Sequence, residues 1–137
     1  WMALEGDGTL RRLSLDVGTR VPLHCTASGK LFLAHLDAPR RDALMAQLPL
    51  PRLTANTLTR RRALRSECEA IARQGHSLDR EEFIAGLMVM AVPVRDAQGA
   101  VRAAIAVHAP VARLTADAAL ARLPALQAAA QRMGELL

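Results

Sequence analysis

The chain has 137 residues, of which 51% are apolar and 2% aromatic, and a formal net charge of +5. That length and apolar content suit one domain with a packed core and exclude both a disordered chain and two full domains. The aromatic residues are Trp1, Phe32 and Phe83, too few for a nucleic-acid surface built on base stacking.

Lys30 is the single lysine, and every other basic residue is arginine. Scattered arginines fit a solvated surface. The one dense cluster, Arg60-Arg61-Arg62, falls in the first turn of a predicted helix, where positive charge opposes the macrodipole, so a partner surface is the alternative reading. Cys25 and Cys68 form neither a metal spacing nor a disulfide framework, which fits a reducing, cytoplasmic setting. No run approaches the roughly 18 apolar residues of a membrane span, and neither a membrane partner nor a cofactor is expected. Trp1 to Glu5 reads as the inside of a strand, so the chain is expected to be truncated at its N-terminal side.

In chain order, residues 1 to 5 predict the end of a strand, Gly6-Asp7-Gly8 a turn, and Leu10 to Leu15 a half-buried strand with Leu13 and Leu15 inward. Thr26 to Leu36 predicts a helix, with Thr26 and Ser28 as capping residue types. Asp37 and Pro39 open a second helix to Leu48, broken by Pro49 and Pro51. A third helix is predicted over residues 60 to 73, capped by Thr57 or Thr59, with Leu64, Cys68 and Ile71 on one face and Gly75 as terminator. Leu87 to Val94 predicts a central strand, Asp96 to Gly99 a hairpin connection, and Val101 to His108 the return strand. A final helical region from Thr115 to Gly134 should be kinked or split at Pro124. Hairpin-linked strands among helices point to an α+β domain with a mostly antiparallel sheet.

The stretch Thr26-Ala27-Ser28-Gly29-Lys30 lacks the glycine and the Ser or Thr that a P-loop needs. Free amides at a helix start can still hold a carboxylate or phosphate, and the small residues permit close approach; the alternative is an ordinary capped helix. His24 and Cys25 are adjacent in extended chain and point apart, so packing residues suit them better than a nucleophile pair. Asp79-Arg80-Glu81-Glu82 reads as a solvated turn, from which one carboxylate could turn inward to orient a ligand. His108 is open between a structural and a ligand-binding role. Met88 and Met90 share a strand face that suits core or an adaptable pocket wall. Nothing here makes an active site, and no enzyme is expected.

Three blocks carry a family resemblance. Residues 17 to 34 contain Val-Gly-x-x-Val-Pro-Leu-His-x-x-Ala-Ser-Gly-Lys-x-x-Leu-Ala; residues 71 to 86 read IARQGHSLDREEFIAG; and AVPVRD with Gly99 is followed by the strand AAIAV and Pro110. Together they resemble the C-terminal effector-binding domain of the IclR family of bacterial transcription regulators. The resemblance implies a sensor domain similar to GAF and profilin-like folds, an antiparallel sheet flanked by helices with a pocket over it. It implies a small organic acid as effector and a homodimer or homotetramer formed through this domain. DNA contact is expected only through a winged helix-turn-helix that residues 1 to 137 do not include. The implied ligand-binding residues are the amides of Ala27 and Ser28, Asp79, the wall positions Val89, Ala106 and His108, and the apolar lining Leu13 and Val21. Family members that bind small oxoacids carry a cysteine and two serines where this chain has Val89, Ala106 and His108. The expected pocket is therefore more apolar, suited to a larger or aromatic acid, with a protonated His108 favouring the anion. The competing reading is an oligomerisation module with a vestigial pocket.

Overall fold

A computed structural model of the chain describes residues 2–4, 10–12 and 20–137. At the start, β1 (Met2–Leu4) pairs antiparallel with β2 (Leu10–Arg12), Ala3 opposite Arg11. The turn at Gly6 to Gly8 and the positions Leu13 and Leu15 lie outside the described residues.

Helix α1 (Ala27–His35) begins where expected. The Thr26 hydroxyl accepts the Gly29 amide at 3.1 Å and donates to the Pro22 carbonyl at 2.6 Å, so one side chain both caps the helix and ties it to the incoming chain. Ser28 lies inside the helix and caps nothing. Asp37 and Pro39 open α2 (Ala38–Gln47), which buries only Met45. Helix α3 (Arg61–Gln74) buries Leu64, Cys68 and Ile71 on one face and ends at Gly75, whose φ of 77° is left-handed.

The cap of α3 differs from expectation. Arg60 occupies that position and makes no side-chain cap. The Thr57 hydroxyl instead accepts the Leu53 and Thr54 amides and donates to the Glu82 carbonyl at 2.7 Å. A buried carbonyl needs a partner, and Thr57, itself buried, supplies it. The acidic run differs too. Ser77–Arg80 is a strand, β3, in which Asp79 is 1% exposed, and Glu82 just beyond it is also buried.

The sheet runs β3–β4–β5, antiparallel throughout, with β4 (Leu87–Arg95) in the middle and β5 (Val101–Pro110) beyond it. Asp96 accepts the Gln98 and Ala100 amides to close the hairpin, and Gly99 sits at φ 82°. Strand alternation then divides the core. Leu87, Val89 and Ala91 pack on α1 and α3, while Met88, Met90, Val92 and Val94 pack on the last two helices. Met88 and Met90 are thus core on the face away from α1. The C-terminal region is split at Pro124 into α4 (Ala116–Ala121), capped by Thr115, and α5 (Leu123–Gly134). The result is the expected α+β arrangement, an antiparallel sheet with helices on both faces.

Candidate functional site

The first turn of α1 and the side of the sheet that faces it line a partly open cavity of about 150 Å³. Val21, Ala27, Ser28, Asp79, Val89 and His108 all line it, so six of the eight residues named from sequence meet at one place. Strand register explains three of them. Asp79 is paired with Val89 and Val89 with His108, so a carboxyl, an apolar side chain and an imidazole form one row across the sheet. Ala106 lies two residues along β5, opposite Ala91, where it packs against the α1–α3 core rather than the cavity wall. Leu13 is outside the described residues.

The α1 residues of the lining bring donors. With the Gly29 amide taken by Thr26 and the Lys30 amide by the Thr26 carbonyl, the Ala27 and Ser28 amides have no hydrogen-bond partner among the described residues. Orphan N–H groups at a helix start carry the positive end of the helix dipole. The same cavity is lined by an acceptor, Asp79. Its carboxylate takes the Glu82 amide at 2.7 Å. Burial, against that hydrogen bond and with added repulsion from Glu82, pushes its pKa up from 3.8 to about 6. Burial also moves the His108 pKa downward, which disfavours its protonated form. That direction runs against the expected protonated His108. The Cys25 thiol, buried close to Asp79 and Glu82, is pushed up to about 12 and is inert as a nucleophile. His24 is buried with Nε2 2.9 Å from the Pro51 carbonyl, a packing role.

Sequence reasoning missed what lies behind the cavity. Lys30 is fully buried and donates to the Leu78 carbonyl at 2.7 Å and to both oxygens of Glu82 at 2.9 Å, with Glu67 at 3.4 Å. Removing one partner of such a buried pair costs about 3–5 kcal/mol, because the other charge is stranded. The available signal was a lone lysine in a mostly apolar helix; its partner 52 positions on could not be read from spacing. The remaining wall, Phe83, Ile84 and Leu87, follows from the tight turn after β3. There Glu81 has φ 59° and accepts the Gly86 amide, and Thr54 and Thr57 hold the Glu81 and Glu82 carbonyls. Among the described residues no cluster of His, Cys, Asp or Glu could hold a metal ion, and no helix is long and apolar enough to cross a membrane.

Comparison with known proteins decides the family. The family model for the bacterial transcriptional regulator IclR C-terminal domain matches residues 4–134. The chain belongs to the IclR family. It is similar to SauR of Cupriavidus necator, which bears a transcriptional-regulator name, at 42% identity over 122 residues, covering 89% of this chain and 48% of that protein. It is also similar to the Pca operon regulatory protein of Acinetobacter baylyi, 34% identical over 90% of this chain and 45% of that one. Among solved structures, the inducer-binding domain of the PobR transcription factor from Acinetobacter, a double mutant in complex with 3-hydroxybenzoic acid, superposes with a TM-score of 0.86. That pair is 28% identical over 97% of this chain and 78% of that one. The chain spans about half the length, or less, of these curated relatives. The sheet and helices of this IclR-type domain thus match C-terminal domains of transcriptional regulators.

Proposed function

We propose that this domain is the effector sensor of an IclR-type regulator and that its effector is a small hydroxylated organic acid, aromatic or of similar bulk. One observation carries this reading: a single cavity is lined by Ala27 and Ser28, whose amides have no partner among the described residues, by the buried carboxyl of Asp79, and by apolar Val21, Ile84, Leu87 and Val89. The amides suit an anionic carboxylate. Asp79 accepts a hydroxyl proton and, when ionised, repels a ligand that brings none. A cavity near 150 Å³ is about the size that holds one benzene ring. PobR, solved with 3-hydroxybenzoic acid, is a relative whose named ligand has both groups. Ala27, Ser28, Asp79, Val89, His108 and Val21 are the contacts assigned here, with Leu13 as a further apolar contact.

The effector acts by favouring one arrangement of the regulator over another. The reading extends to a homodimer or homotetramer formed through this domain, checked by sedimentation with and without ligand. It also extends to DNA contact through a separate winged helix-turn-helix and to a place in the cytoplasm.

The test is a thermal-shift panel pairing hydroxy acids with their unsubstituted counterparts, 3-hydroxybenzoate with benzoate among them. A ligand at about 100 times its dissociation constant stabilises the fold by about 2.7 kcal/mol. The hydroxy acid should bind more weakly as pH falls through 6, because it needs ionised Asp79; the unsubstituted acid should bind more tightly. Asp79→Asn should remove both slopes. Ala27→Pro should weaken both acids: it deletes one amide, and Thr26, with ψ 148°, already has the backbone a following proline requires. A folded domain stabilised by no acid, or equally by both members of each pair at every pH, refutes the reading.

A further inference from the structure

Lys30 does not line the cavity, yet its contacts surround the residue that gives the cavity its acceptor. It projects from α1, two residues beyond Ser28. Its ammonium takes the carbonyl of Leu78, the neighbour of Asp79, and both oxygens of Glu82. Glu82 in turn encloses Asp79. Its backbone amide donates to Asp79 Oδ1 at 2.7 Å, and its Oε2 accepts the Arg80 amide at 3.1 Å. The chain from Leu78 to Glu82 is therefore wrapped round Asp79 and fastened at both ends to one ammonium on α1.

We propose that Lys30 is the positioning residue of the effector site: it fixes the spacing between the α1 amides and Asp79 and keeps Asp79 able to ionise as an acceptor. This rests on the reading of the cavity as an effector pocket and adds to it the element that sets its charge. Of two buried carboxylates, Glu82 is paired with the buried cation and Asp79 feels it through space. The other groups around them are Cys25 ahead of α1, Cys68 and Glu67 on α3, and His108 on β5; β4 contributes only apolar Val89 beside Asp79. Glu67 is partly exposed and more distant, so Glu82 is the main counter-charge. The ammonium lowers the Asp79 pKa and the Glu82 carboxylate raises it. A lysine that only stabilised the fold would leave the Asp79 titration where it was.

The test needs no effector. The side-chain carboxyl carbon of Asp79 is followed by NMR from pH 4 to 9 in the full chain and in three variants. Lys30→Met should move the Asp79 midpoint to higher pH, Glu82→Gln should move it to lower pH, and Lys30→Arg, which keeps the charge, should restore the wild-type midpoint. If Lys30→Met does not fold, Glu82→Gln and Lys30→Arg decide. A midpoint unmoved in Glu82→Gln overturns the proposal, as does one unmoved in folded Lys30→Met. A second arm titrates 3-hydroxybenzoate at pH 7. Where it binds the wild type, each unit of upward movement past the working pH should cost about tenfold in affinity. Moved midpoints with no acid bound by the wild type would uphold the Lys30–Asp79 linkage while refuting the effector reading, so the two failures are distinguishable.

Discussion

Asp79→Asn should make the domain more stable, and by an amount that depends on pH. Asp79 has an ordinary carboxyl pKa of 3.8 in the unfolded chain and about 6 in the folded one. The folded state holds the proton more tightly, so the contribution of Asp79 is complete below pH 3.8 and is lost as the pH rises through 6. At about 1.4 kcal/mol per pH unit, ionised Asp79 lowers stability by about 3 kcal/mol at pH 8 and by roughly half that at pH 5. Asparagine keeps an oxygen to accept the Glu82 amide and carries no charge to desolvate. With about 3 °C per kcal/mol for a domain of this size, the variant should melt about 9 °C above wild type at pH 8, and the gap should shrink toward pH 4. Thermal melts at pH 4, 5 and 8 check this. A variant that melts below wild type at pH 8, or a gap that does not change with pH, would refute the claim that Asp79 is held strained for ligand recognition rather than for folding. Stability given up at a binding residue is the expected trade at a functional site.

Two further changes test the frame around the cavity. Gly29→Ala should destabilise by about 1–3 kcal/mol, although alanine is the better helix former by about 1 kcal/mol, because its Cβ would lie 2.5 Å from Thr26 Oγ1 and 2.7 Å from the Leu23 Cα; urea denaturation reads the balance, and a stabilised variant would show that the α1 start yields freely. Thr57→Val should cost about 1–3 kcal/mol by removing the shorter of two hydroxyl donors to the Glu82 carbonyl and the acceptor of the Leu53 and Thr54 amides. It should also speed amide hydrogen exchange in residues 82 to 87, with no change in α5, which packs in the other core cluster.

Much of this was legible in the sequence, and the reason differs by element. One-face periodicity placed α3, an unbroken apolar run marked β4 as central and buried on both sides, and cap residues marked the start of α1. Proline and glycine marked the breaks at Pro49, Gly75, Gly99 and Pro124 through backbone restrictions that act locally. The family resemblance, rather than periodicity, brought Ala27, Asp79, Val89 and His108 to one place. What was not legible depended on distant partners. Asp79 was expected to face a ligand, but Glu82 read as part of a solvated turn, because a carboxylate is buried only where a counter-charge awaits it, and that comes from Lys30. Thr57 read as a helix cap because its hydroxyl suits that role; a carbonyl 25 positions away recruits it instead. His108 read as a cation source because its ordinary pKa is near neutral, whereas burial in the sheet moves it down.

The central claim is that a carboxylate binds the first turn of α1 while a hydroxyl reaches Asp79. The most direct measurement is a ¹H–¹⁵N spectrum of the labelled domain, titrated with whichever hydroxy acid stabilises it most. The account predicts that the Ala27 and Ser28 amides shift furthest downfield, as donors to an anion do, with smaller changes at Asp79, Val89 and His108. Largest shifts around Phe32 and Leu44, on the exposed α1–α2 surface, or saturation that leaves the Ala27 and Ser28 amides in place, would contradict it.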